Sequence, residues 1–189
     1  MSLNTYIQES SSLLASCDWA EDTVQKLVAR VATSLRDRFP LLICGNGGSM
    51  ADALHCTAEF VGRFKQIRDG LPAICLGANP ASFSAIGNDF EYRNTFAREV
   101  EAYGYFCDHL WIFSTSGASP NVINAAKKAK GLGIYVTGFL GQNRGSVEEY
   151  CDFTFKVPSF DPAQIQQVHS VLYHYLCGEI ESYIVSHLT

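Results

Sequence analysis

The sequence predicts an α/β fold, a five-stranded parallel sheet between two layers of helices. Three observations predict it. Five short β-rich runs are continuously apolar rather than alternating, as suits strands covered on both faces. Helical patterns separate most of these runs, and such alternation closes up as a parallel sheet with right-handed crossovers. No linker, low-complexity tract or long charge run interrupts the 189 residues, so residues 1–189 read as a single domain of a length that supports a full core.

In chain order, two helical segments, about 3–15 and 18–37, precede the first strand, PLLIC (40–44). A turn rich in small residues leads into a helix over 49–64. PAICL (72–76) is the second strand, followed by helical patterns over 80–87 and 91–103. HLWIF (109–113) is the third. The helix after it spans 120–131, with Pro120 suited to the first helical position and Ser119 to the N-cap. GIYVT (133–137) and FTFKV (153–157) complete the sheet. The chain closes with a long helix over 162–187, whose residues Ile165, Val168, Leu172, Leu176, Ile180, Tyr183 and Ile184 recur mainly at three- and four-residue steps. Val171, Tyr175 and Cys177 widen that stripe beyond what a surface helix needs. A subunit partner is the expected cover; a core helix within one chain is the alternative.

Composition narrows the function classes. With 47% hydrophobic and 17% charged residues the chain folds rather than staying disordered. No apolar run approaches the roughly 20 residues of a membrane span, and the opening MSLNTYIQESSS lacks the basic-then-apolar order of a signal peptide. Seven scattered cysteines without a C-x-x-C pair read as reduced thiols, several of them buried in strands (Cys44, Cys75), and place the protein in a cytoplasm. A net charge of −5 with no basic stripe argues against nucleic acid as a partner. An anionic small molecule remains compatible, provided that local dipoles hold it.

Two segments supply such dipoles. LLICGNGGSMADAL and LWIFSTSGASPNVI are each a strand, a small-residue turn and a helix. Each turn presents backbone N–H groups at a helix N-terminus. Gly45, Gly47 and Gly48 allow close backbone approach, and Ser49, Ser114, Thr115, Ser116 and Ser119 add hydroxyls. These parts suit a phosphate or a polyol. They do not make a P-loop, for no Lys-Ser/Thr follows the glycines, nor a dinucleotide fingerprint, which needs a third glycine and an acid ending the second strand. Ordinary turn and capping chemistry explains one such loop as well as function does; two at carboxyl ends of strands favour function.

His55 and Glu59 stand one helical turn apart, about 5–6 Å between Cβ atoms, close enough to share a proton path or a metal. Gln166 and His174 are eight residues apart on the last helix, an offset of about 80°, so both can face one groove. His55, Glu59 and His174 would make the His₂Glu set of catalytic zinc sites, though the spacing alone does not establish a metal and Gln166 is an uncommon ligand. His169 reads as structural or supporting, and His109 and His187 as without a role.

On GNGGSMADALHCTAEFVGRF (45–64), GNDF (87–90), STSGASPNVI (114–123) and QIQQVHSVLYH (164–174), the chain resembles the sugar isomerase (SIS) domain family over about residues 3–187. Its likeness is to the branch acting on heptose phosphates. The resemblance implies an aldose–ketose isomerase converting sedoheptulose 7-phosphate to D-glycero-D-manno-heptose 7-phosphate. It implies substrate contacts at Asn46, Gly47, Gly48, Glu59, Asn88, Asp89, Ser114, Thr115, Ser116, Ser119 and Gln166. It implies one zinc per subunit at His55, Glu59, Gln166 and His174, with Glu59 as base and His174 as acid, and a homotetramer with active sites between subunits. Three positions depart from the family pattern: Ala118 in place of an asparagine, Leu140-Gly141 followed by Gln142-Asn143-Arg144 in place of a threonine-glycine, and Ala58 in place of a second acid. They bear on substrate choice. Two other readings stand beside this one: an isomerase for a different ketose phosphate, and a non-catalytic SIS-domain protein that binds a sugar phosphate or a replication initiator. The initiator-binding branch lacks the histidine–glutamate pair that this chain keeps.

Overall fold

The computed structural model describes residues 1–143 and 145–187. Strands β1 (Leu41–Gly45), β2 (Ala73–Cys75), β3 (His109–Ser114), β4 (Tyr135–Leu140) and β5 (Phe153–Lys156) form one parallel sheet in the order β2-β1-β3-β4-β5. Every residue of β1 and β3 is buried, as their unbroken apolar runs require. On one face lie α2 (Glu21–Arg36), α3 (Gly48–Val61) and α7 (Pro162–His187), packed on Leu41, Ile43, Trp111, Phe113, Phe139 and Phe155. On the other lie α4 (Pro80–Phe90), α5 (Thr95–Tyr103) and α6 (Pro120–Gly131). The core of this layer joins α5 and α6 to Leu42, Cys44, Leu110, Ile112, Val136 and Leu140. The alternation of these two lists along each strand is the period of two that a pleated strand imposes. Helix α1 (Leu3–Ser16) packs outside against α7 and buries no residue of its own.

The boundaries depart from the sequence reading in instructive places. The pattern over 91–103 is one helix in the reading and two elements in the structure: Glu91 sits at φ 70°, after which a 3-10 turn (Tyr92–Asn94) precedes α5. The strand expected over 133–137 runs instead over Tyr135–Leu140, because Gly133 at φ 77° still belongs to the turn after α6. The helix expected to reach residue 64 stops at Val61. There Glu181 of α7 takes over: its buried carboxylate accepts the amides of Phe64, Lys65 and Gln66 and pairs with Arg68 at 3.0 Å. The Arg68 guanidinium in turn donates to the carbonyls of Glu59 and Phe60, 2.9 Å each, and so closes the end of α3.

Most of the breadth of α7 is used inside the chain. Cys177, expected on a surplus apolar face, is 2% exposed. Val171 and Tyr175 do face outward, at 55% and 41% exposure. With Leu14, Cys17, Trp19 and Val24 they line an apolar groove between α1, α2 and α7. All seven cysteines are free thiols, and five of them, Cys44 and Cys75 included, are buried. Among the described residues no helix is long and apolar enough to cross a membrane.

Candidate functional site

The strand order reverses between β1 and β3, so the crevice at their carboxyl ends is where an open α/β sheet receives a ligand. Both small-residue turns open there. In the first, Gly47 is the N-cap of α3 at φ 57°, a conformation that a side chain disfavours. In the second, Gly117 at φ 63° brings its backbone against Gly145, and its carbonyl accepts the Val147 amide at 3.1 Å.

The hydroxyls of the second turn are placed to donate. Ser114 Oγ accepts the Gly117 amide at 3.1 Å and Ser116 Oγ accepts the Ala118 amide at 3.2 Å, which leaves each hydroxyl hydrogen for another acceptor. Ser119 occupies the N-cap of α6 ahead of Pro120, as read from sequence, yet its hydroxyl makes no capping bond. The Val122 amide that it would accept is taken by the Asn121 side chain at 3.0 Å. The Ser119 hydroxyl is thereby relieved of capping.

Asn121 is fully buried, and sequence reasoning missed it. Its carboxamide and that of Asn46 exchange two hydrogen bonds, 2.8 and 2.9 Å, tying the β1 turn to the first turn of α6. Tyr92 Oη adds a third bond, to Asn46 Oδ1 at 2.9 Å. Asn88 and Asp89 lie exposed near the end of α4, joined by a 2.8 Å bond.

The second half of the site lies between α3 and α7, which pack together. His55 Nε2 and Glu59 Oε1 are 3.0 Å apart. The His174 ring lies 4.9 Å from the His55 ring, and Phe64, set by the Glu181 clasp, lies 5.7 Å from it on another side. His174 Nδ1 is 2.6 Å from the Ser170 carbonyl, so it carries the hydrogen and Nε2 has a free lone pair when the ring is neutral. One ligand atom from each of His55, Glu59 and His174 falls within 4.8 Å of the others. Two imidazoles and a carboxylate at these separations fit a zinc ion, whose ligand bonds run about 2.0–2.2 Å. The carboxamide of Gln166 lies against Gly48, about 12 Å along the helix axis from the level of His174.

Asp52, one turn before His55 on α3, also escaped the sequence reading. Burial pushes its carboxyl up to about 6, against the opposing pull of nearby His55, and its Oδ2 has no hydrogen-bond partner among the described residues. Tyr173 is buried with its hydroxyl 2.9 Å from His55 Nδ1. An aromatic beside His174 in an apolar helix carries no sequence signal beyond core packing. His169 is fully buried against Phe113 and Phe139, away from the exposed side of the cluster.

Of the departures from the family pattern, Ala118 is exposed in the second turn and Ala58 is exposed on α3. Leu140 is buried at the end of β4, and Gly141 packs so closely on the Thr115 carbonyl that a Cβ would lie 2.4 Å from it. Arg144 lies outside the described residues.

A family model described as "SIS domain" matches residues 5–141. A phosphoheptose isomerase of Crocosphaera subtropica is 45% identical over 159 residues, covering 84% of this chain and 81% of the relative. One of Clostridium acetobutylicum is 41% identical over 179 residues, covering 95% and 91%. The solved structure of a phosphoheptose isomerase from Neisseria gonorrhoeae superposes with a TM-score of 0.85 at 32% identity, covering 95% of this chain and 97% of that one.

Proposed function

The chain belongs to the SIS domain family and is an enzyme of its phosphoheptose isomerase group; from that premise we propose that it isomerises sedoheptulose 7-phosphate to D-glycero-D-manno-heptose 7-phosphate. The observation that carries the proposal is the meeting of Glu59 and His174, from helices more than a hundred residues apart in sequence, beside His55. A ketose-to-aldose change moves a proton from C1 to C2 through a cis-enediol, so it needs a base near carbon and a proton donor near oxygen.

In this reading Glu59 takes the C1 proton. His174, with Nδ1 held by the Ser170 carbonyl, presents Nε2 to exchange protons with the substrate oxygens. The phosphate rests on the Ser114, Thr115, Ser116 and Ser119 turn, where free hydroxyl hydrogens and the α6 N-terminus oppose its charge. Its binding energy then holds C1 against Glu59. Asn46, Gly47, Gly48, Asn88, Asp89 and Gln166 take up the polyol. The amide pair of Asn46 and Asn121 keeps the two turns in register.

One zinc per subunit would be held by His55, Glu59 and His174; Gln166, expected as a fourth ligand, has its carboxamide against Gly48, about 12 Å along α7 from the level of His174, and is left to the polyol. A bound zinc supplies Lewis-acid stabilisation of the enediolate oxygens. Glu59 serves as both ligand and base if one carboxylate oxygen stays free, whereas His174, with Nδ1 held by the Ser170 carbonyl, has only Nε2 for both roles and acts as acid when that nitrogen is off the metal. Residues 1–189 act as a single SIS domain in the cytoplasm. The outward Val171 and Tyr175, and the exposed Leu3 and Ile7 of α1, support assembly as a homotetramer that completes the sites.

The test offers purified protein sedoheptulose 7-phosphate alongside ketose phosphates of five and six carbons. Turnover is expected on the heptulose. Glu59→Gln is expected to keep its fold and lose at least about a hundredfold in kcat. Near-normal turnover in that variant removes Glu59 as base, and preference for a shorter sugar overturns the substrate.

A further inference from the structure

We propose that Tyr173 is a positioning residue for His55: its hydroxyl pins the imidazole so that Nε2 stays against Glu59, whose carboxylate then selects the tautomer protonated at Nε2. Both nitrogens of His55 are engaged, from opposite sides. Nδ1 lies 2.9 Å from Tyr173 Oη and Nε2 lies 3.0 Å from Glu59 Oε1. The two partners differ in kind. Glu59 is on the same helix as His55, one turn on, with its side chain 19% exposed. Tyr173 is anchored in the core at 1% exposure, its ring edge-on to Phe113 at 5.9 Å and tilted over His174 at 4.4 Å. The His55 side chain is 51% exposed, so packing alone does not hold its ring. The fixed hydroxyl does.

A phenol hydroxyl can donate or accept, and this makes Tyr173 suited to both states of the site. When Nε2–H donates to the Glu59 carboxylate, Tyr173 donates to Nδ1. When the Nε2 lone pair is given to a metal ion, Nδ1 carries the hydrogen and Tyr173 accepts it. The ring need not move between the two. Ser170 Oγ, 3.4 Å from the Tyr173 hydroxyl, is a second partner in either case. Outer partners of this kind orient a ligand and commonly account for 10–100-fold of metal affinity. The metal arm of the inference rests on the ligand role given to His55 above; the orientation arm does not.

Tyr173→Phe removes one oxygen and keeps the ring. Two measurements on this variant and the parent decide the matter, after circular dichroism has shown that both are folded. The first is a long-range ¹H–¹⁵N spectrum of the five histidines in chelator-stripped protein, with His55 assigned by its loss in His55→Ala. The parent is expected to show one tautomer, protonated at Nε2, and the variant a mixture of both. The second is zinc affinity, read by competition with a chromophoric chelator and expected to weaken about 10–100-fold in the variant. An unchanged His55 spectrum overturns the proposal. A changed spectrum with zinc affinity within twofold of the parent overturns the claim that Tyr173 prepares a ligand. A parent that binds no zinc overturns the metal reading instead, and the spectrum then decides Tyr173 by itself.

Discussion

Gly48→Ala separates the site from the fold. Gly48 opens α3 and is not among the residues with positive φ, so alanine can adopt its backbone. A Cβ there would lie 2.5 Å from Gln166 Nε2 and 2.8 Å from Oε1. Contact between such atoms begins near 3.5 Å, so the Gln166 amide must retreat by about 1 Å. The obstacle is the far end of a flexible side chain, which yields at little cost, and alanine is the better helix former by up to about 1 kcal/mol. Stability is therefore expected to hold or rise slightly. Activity is not, since a misplacement of about 1 Å in a positioning group costs on the order of a hundredfold. The assay pairs thermal unfolding with steady-state kinetics on sedoheptulose 7-phosphate, for Gly48→Ala, Gln166→Ala and the double variant. Because Gln166 is the group displaced, adding Gly48→Ala to Gln166→Ala should cost little more. A folded Gly48→Ala within twofold of parental kcat/KM would refute the reasoning, as would fully additive losses. Gly45→Ala is the contrast: its Cβ would meet the Ser49 backbone carbonyl at 2.4 Å, an obstacle that cannot swing away, so this variant should lose stability first.

Other outcomes follow from the same geometry. Stoichiometric zinc should appear by elemental analysis and fall in His55→Ala; metal-free protein with full activity would count against a required metal. Burial pushes the rings of His109 and His169 from 6.5 down to about 4, so between those values the folded chain binds fewer protons than the unfolded chain. Stability should therefore fall as pH drops from 6.5 toward 4, by at most about 1.4 kcal/mol per pH unit for each ring, and stay flat with respect to these groups above 6.5. Denaturant titrations across that window check this, and His169→Gln should reduce the slope. Glu181→Ala strands Arg68 and three loop amides, and should cost about 3–5 kcal/mol in urea unfolding; a loss below 1 kcal/mol would show that the clasp is dispensable.

What the sequence determined by itself was whatever depends on near neighbours in the chain. Apolar runs announce the strands of a sheet covered on both faces, and the glycines and serines after PLLIC and HLWIF announce turns at helix N-termini. The four-residue step from His55 to Glu59 announces a shared helix face. Gly133 and Glu91 show the limit of that reading, because a left-handed residue moves a boundary without altering the apolar pattern. Tertiary structure alone decided which distant groups meet. Asn46 and Asn121 pair because β1 and β3 are neighbours at the point where the strand order reverses. Tyr173 reaches His55, and Glu181 closes the end of α3, because α7 packs along α3. A local pattern constrains the angle at which a side chain leaves its own element. The partner that it finds across a gap depends on how the elements pack, and that packing is a property of the whole core.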